Sequence, residues 1–246
     1  MKLASLIILV ILSTINAFSQ DKASNKKFDQ IALVNQIDFL DSKFDQPRFS
    51  CGFLLKYNQD TFAITAKHLL KFIKSDEMHS VSFDNGIKNW SLFSLTNPNE
   101  KVRVARLLNE DKIAKLSEKS TFDDDWLMFS IRENKSKVKA LEIRMTPLVA
   151  GEKLYVVGWT RKMESGEQRV YEFEYQKTIG NRIILKDLLV PDQFGGLSGA
   201  PVIDENEFVI GIVSGRTEDP SSGKSYFSPY LLTSIIPFLD KIKKTN

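Results

Sequence analysis

The sequence predicts an all-β protein in which two antiparallel β-barrels pack together and one helix closes the chain. Three observations predict it. From Phe49 onward the apolar runs are short, rich in Val, Ile, Phe and Tyr, and separated by turn residues. They fall into two groups on either side of a charged stretch, residues 133–147. Apolar residues at helical spacing occupy residues 231–243, at the end of the chain. Many short strands in two groups followed by one helix suit paired barrels.

The elements follow in order. Residues 20–45 are polar with scattered apolar positions and read as a leading arm. Residues 49–57 and 61–66 flank Asn58-Gln59-Asp60, a hairpin signature. Residues 80–83 and 89–95 flank Asp84-Asn85-Gly86 and read as a second hairpin. Strands over 102–108 and 126–131 complete a first barrel, about 45–132, and residues 133–147 are a bridge. Strands over 154–159, 169–175, 182–185, 201–203, 208–213 and 226–229 make a second barrel, about 148–230. A terminal helix over 231–244 ends the chain.

The first nineteen residues read as a signal peptide ahead of one domain, residues 20–246. Lys2 supplies the positive end, residues 3–12 the apolar stretch and Ala17-Phe18-Ser19 a small-residue cleavage site. The apolar stretch is short of the roughly 20 residues that a spanning helix needs. Cleavage after Ser19 exposes Gln20 and directs the chain outside the cytoplasm, secreted or periplasmic, with no integral membrane segment left. Without Lys2 the chain carries 33 basic and 31 acidic residues, with signs mixed along it. Nothing in that balance calls for nucleic acid or an acidic membrane surface. The single cysteine, Cys51, cannot form an internal disulfide and lies in an apolar run, as a buried inert thiol would.

The chemistry concentrates in three places. Gly196-Leu197-Ser198-Gly199-Ala200-Pro201 is a glycine-flanked turn just before a strand. Such a turn exposes a serine Oγ and leaves backbone N–H groups free, as acyl transfer requires. Thr65-Ala66-Lys67-His68 ends one apolar run, and Asp125 opens another at Trp126-Leu127-Met128-Phe129. His68 is a candidate base because imidazole titrates near neutrality. The other histidine, His79, sits in a polar stretch. Asp125 competes with Asp123 and Asp124, and of the three it directly precedes the apolar strand. An α/β-hydrolase elbow is excluded: its second glycine is replaced by Ala200, and no histidine follows Ser198. Two histidines eleven residues apart and one distant cysteine match no zinc-ligand spacing.

In these segments, and in Val209-Ile210-Gly211-Ile212-Val213-Ser214-Gly215, the chain resembles a bacterial member of the trypsin/chymotrypsin-like serine peptidase family over roughly residues 45–240. The resemblance implies two six-stranded antiparallel barrels of chymotrypsin type, with a site in the cleft between them. It implies that Ser198 is the nucleophile, His68 the base and Asp125 its orienting partner. It places the oxyanion hole at the N–H groups of Gly196 and Ser198. It makes Ser214 and Gly215 a strand that pairs with extended substrate, and Asp192 the base of a primary specificity pocket suited to Lys or Arg. The alternative for Asp192 is a loop carboxylate in water. The expected partner is a polypeptide substrate, with no cofactor and no metal. The chain departs from the family at Leu197, where trypsin-type enzymes carry an aspartate that pairs with a freshly cut N-terminus. The oxyanion turn is therefore expected to form without such a cut. Leu69 stands where relatives carry the cysteine that would pair with Cys51. The glutamyl-specific branch is disfavoured, since no histidine lies in the C-terminal half. The alternative function is a weakly active or inactive scaffold that binds extended peptides or a protein partner.

Overall fold

The computed structural model describes residues 23–243, apart from Lys74, Glu77 and Asn85. The expected signal peptide lies outside these residues. Fifteen strands make up about half of the described chain. The first ring contains β1 (Ala32–Phe39), β2 (Gln46–Tyr57) and β3 (Asp60–Thr65). Beyond the short helix α1 (Leu70–Ile73), β4 (Ser80–Val81) stands outside the ring and pairs with β7 (Asp111–Lys115). β5 (Ile87–Ser94), β6 (Asn97–Leu107) and β8 (Leu127–Asn134) complete the ring, in the order β1-β5-β6-β8-β3-β2, with β2 bonded back to β1. β9 (Leu141–Glu142) adds to β2 in parallel.

The second ring is a closed six-stranded barrel, β10-β11-β12-β15-β14-β13. Its strands are β10 (Lys153–Gly158), β11 (Arg169–Ile179), β12 (Arg182–Leu189), β13 (Pro201–Ile203), β14 (Val209–Glu218) and β15 (Ser225–Leu231). A 3₁₀ turn at Leu232–Ile235 then runs into α2 (Ile236–Lys243). Closing each sheet on itself removes its edges and buries its inward side chains. Phe53, Ile64 and Phe129 fill the first barrel, and Tyr171, Phe173 and Leu185 the second.

The expected boundaries need two corrections. The first barrel begins at Ala32, inside the stretch expected to be a leading arm. The pattern of β1 is broken by Asn35, which is fully buried. Its amide donates to the carbonyls of Phe49 and Cys51, and its oxygen accepts from Trp90 Nε1. A buried amide with its hydrogen bonds satisfied is tolerated in a core, so a polar letter there hid a barrel strand. The second predicted hairpin also does not form. Both edges of β5 are taken, by β1 and β6, which leaves β4 to pair with β7. The charged bridge is not a loose tether, for Ile143 bridges to Val209 and Arg144 pairs with Glu152 and Asp204.

Two contacts carry this architecture to the site. α2 returns to the first barrel, where Phe238 meets Trp126 edge to face at 5.0 Å and Tyr57 donates to Asp240 at 2.7 Å. At the seam between barrels, the Cys51 N–H donates to the Ser198 carbonyl at 2.9 Å. Among the described residues, no helix is long and apolar enough to cross a membrane.

Candidate active site

His68 lies in a 3₁₀ turn, Lys67–Leu69, just past the end of β3. Thr65 ends β3 fully buried, and its hydroxyl donates to the Cys51 carbonyl at 2.7 Å, which ties the approach to the turn. Asp125 sits between a 3₁₀ turn at Lys119–Phe122 and β8. Its neighbour Trp126 is held by Phe238, which fixes the entry to β8. Ser198 comes from the second barrel, on the loop between β12 and β13.

These three residues meet. His68 Nδ1 lies 2.7 Å from Asp125 Oδ2, and His68 Nε2 lies 2.8 Å from Ser198 Oγ. The backbone N–H of His68 donates to the other carboxylate oxygen, Asp125 Oδ1, at 2.7 Å. Asp125 accepts a third hydrogen bond, from the Ser214 hydroxyl. Its side chain is only 3% exposed, whereas that of His68 is 17% exposed, so the histidine is the open end of the chain. Burial opposes ionisation of Asp125. The hydrogen bonds from His68 and Ser214 outweigh it and hold the carboxyl below the usual carboxylate range. An ionised carboxylate only accepts, so the Nδ1 proton stays on His68 and leaves Nε2 to accept from Ser198. The choice within Asp123-Asp124-Asp125 falls on Asp125, because Asp124 instead accepts from the Tyr230 hydroxyl at 2.8 Å.

The serine turn is built by close backbone packing. Gly196 has φ +100°, and a Cβ there would lie 2.3 Å from the Arg161 nitrogen. Gly199 has φ +83°, and a Cβ there would lie 2.2 Å from the Cys51 carbonyl oxygen. Only glycine combines that backbone conformation with such close approach. The Gly195 carbonyl accepts from Arg161 N–H at 2.6 Å, and Gly199 N–H donates to Val213 at 2.8 Å. Leu197 is fully buried, so an apolar anchor holds the turn where a charged one was the family expectation. Among the described residues, the N–H groups of Gly196 and Ser198 donate to no acceptor.

β14 runs past this turn. β13 pairs with it as far as Ile212, and from Gly215 to Glu218 the paired edge is the one facing β15. The other edge carries no described strand there, and Gly215 is exposed on it. Ser214 is half-buried with its side chain turned to Asp125. Asp192 differs from the expectation: it is exposed in its loop rather than sequestered at a pocket base. Arg182 and Tyr230 were not read from the sequence as site residues. The only mark of Arg182 was a charge at the head of the apolar run Ile183-Ile184-Leu185. Among the described residues, no group of three or more His, Cys, Asp or Glu could hold a metal ion.

A family model described as Trypsin matches residues 39–242. No curated protein sequence is significantly similar. Solved structures give the fold. Neuropsin, a serine protease expressed in the limbic system of mouse brain, is 13% identical with a TM-score of 0.62, over 91% of this chain and 99% of that one. A structure described as GrC is 18% identical with a TM-score of 0.59, over 91% and 98%. Kallikrein-related peptidase 10 is 15% identical with a TM-score of 0.58, over 89% and 97%. The two closed barrels are therefore of the chymotrypsin type.

Proposed function

From the premise that this chain belongs to the trypsin family, we propose that it is a serine endopeptidase that cleaves polypeptides through an acyl-enzyme on Ser198. One observation carries the proposal: the unbroken chain Asp125–His68–Ser198, with contacts of 2.7 and 2.8 Å, assembled from both barrels. Ser198 Oγ attacks the scissile carbonyl carbon while His68 Nε2 takes its proton. Asp125 holds the ring in the tautomer that can accept and stabilises the imidazolium. The N–H groups of Gly196 and Ser198 donate to the oxyanion as negative charge develops there. The C–N bond then breaks as His68 returns the proton to the leaving amine. A water, activated by the same histidine, cleaves the acyl ester and restores Ser198. The open edge of β14 at Ser214 and Gly215 takes an extended substrate by strand addition, with main-chain hydrogen bonds setting the register.

Fluorophosphonate labelling of the folded protein tests the reading. Label is expected on Ser198, mapped by peptide mass, and none on Ser198→Ala. Folded wild-type protein that neither labels nor cleaves an unfolded polypeptide would leave the peptide-binding alternative. Export is part of the proposal, supported by the leader pattern of residues 1–19. N-terminal sequencing of the exported chain should begin at Gln20, and an intact leader on chain retained in the cytoplasm would refute it.

A further inference from the structure

Arg182 opens β12 in the second barrel, yet its contacts lie around the aspartate contributed by the first. One guanidinium nitrogen donates to the Ser214 hydroxyl. Another donates to the Asp123 carbonyl at 3.3 Å. The guanidinium carbon lies 5.4 Å from the centre of the Tyr230 ring, and Tyr230 in turn donates to Asp124. Arg182 thus touches or braces each member of the acidic run except Asp125, which it reaches through Ser214.

The direction of that relay follows from donor counting. A guanidinium has donors and no acceptor, so the Ser214 oxygen must accept from it. Ser214 has a single proton, and Asp125 Oδ2 is its acceptor. With its oxygen engaged by Arg182, the hydroxyl is held in the rotamer that points at Asp125. Without Arg182 the same hydroxyl can turn to water, and Asp125 loses its third donor for part of the time. An Asp125 carboxylate with one donor fewer holds a protonated partner more strongly, so loss of either Arg182 or Ser214 acts on the acid limb of the pH profile in one direction.

We propose that Arg182 is a positioning residue for the triad, acting through Ser214 to fix Asp125. The proposal rests on the peptidase reading above. Lys67, from the histidine's own turn, interacts with Asp125 and also with Asp124, Asp111 and Asp123. They are unchanged in an Arg182 variant, so a difference between the two proteins reports on Arg182.

Arg182→Met keeps an apolar stem beside Tyr230 and removes both charge and donors. It is expected to lower kcat/KM about tenfold with KM nearly unchanged, and to move the acid limb of the pH profile up by roughly half a unit. Arg182→Lys should return the limb to its wild-type position. Ser214→Ala should move the limb in the same direction as Arg182→Met. The double variant should lose no more activity than Ser214→Ala alone, because the two residues act in series. An acid limb that stays in place in Arg182→Met, or in Ser214→Ala should the first variant fail to fold, overturns the proposal. So do losses that multiply in the double variant. One readout is independent of turnover: solvent exchange of the His68 Nδ1 proton by NMR, expected to be about tenfold faster in Arg182→Met. Faster exchange in a protein whose Ser198 never labels refutes the peptidase reading alone. Labelled Ser198 with unchanged exchange and an unchanged limb refutes the role of Arg182 alone.

Discussion

Asp125 is ionised in a place where burial by itself would keep it neutral, and three donated hydrogen bonds make the difference. The functional claim at this scale is direct. Ser198→Ala should abolish labelling and cleavage with an unchanged thermal melt, and His68→Ala should lower turnover on the order of 10⁴-fold. Asp125→Asn should cost roughly 10⁴-fold, because an amide can donate to His68 and so select the wrong tautomer. Asp123→Asn should be near neutral, since Asp123 is engaged through its backbone carbonyl. Asp124→Asn should keep most turnover and lose about 1 kcal/mol of stability, through weakening of the Tyr230 hydrogen bond. A kinetic defect larger in Asp124→Asn than in Asp125→Asn would reverse the assignment. Asp125 also links stability to pH. Its folded carboxyl lies below the ordinary value, so between the two values the unfolded chain binds more protons and stability rises with pH. The contribution is complete above about pH 5 and is lost as pH falls through the folded value. Denaturant unfolding of wild type and Asp125→Asn should differ above that pH. The difference should narrow on acidification, and one that widens would contradict the assigned shift.

The elements that matter are the serine turn and the last helix. The turn is shaped from outside, by the Cys51 carbonyl behind Gly199 and the Arg161 backbone behind Gly196. Gly199→Ala should cost about 3 kcal/mol or more in thermal or denaturant unfolding, because strain at positive φ adds to a clash with backbone that cannot give way. A neutral Gly199→Ala would mean that the turn is free to relax. α2 is short, and an isolated helix of that length is not stable in water. It persists by docking, through Phe238 on Trp126 and Asp240 on Tyr57. Phe238→Ala should cost about 2 kcal/mol and lower turnover as well, since Trp126 is the residue next to Asp125. Lost stability with intact turnover would separate the helix from the site.

For the whole molecule, the site exists only while the barrels stay together. The first contributes His68 and Asp125, and the second Ser198, Ser214 and Arg182. Cys51 lies at their seam, fully buried, with its N–H on Ser198 and its sulfur beside the Trp159 backbone. Burial pushes its thiol up to about 12, so the nucleophilic thiolate is scarce even when a reagent arrives. Iodoacetamide should therefore modify the native protein at least about 10³-fold more slowly than the unfolded chain, because reaction waits on opening. Comparable rates in both states would mean that the barrels part readily.

Local chemistry made a large part of this protein legible in its sequence. Strand runs, turn residues, the terminal helix and the order His68, Asp125, Ser198 are all written in short segments, because turns and exposed nucleophiles need particular residues at particular places. β1 was not legible, since Asn35 looks polar until its buried partners Phe49, Cys51 and Trp90 are known. Nor was the partner of β4, because the free edge of β5 was already taken from elsewhere in the chain. Asp192 was ambiguous for the same reason: exposure is a property of the assembled loops. Arg182 is 57 residues from Asp125 and Ser214 is 89 residues from it, so no local pattern could join them. Sequence determined which groups could do the chemistry. Only barrel closure decided which of them meet, because contacts across that separation form when the two rings pack and not before.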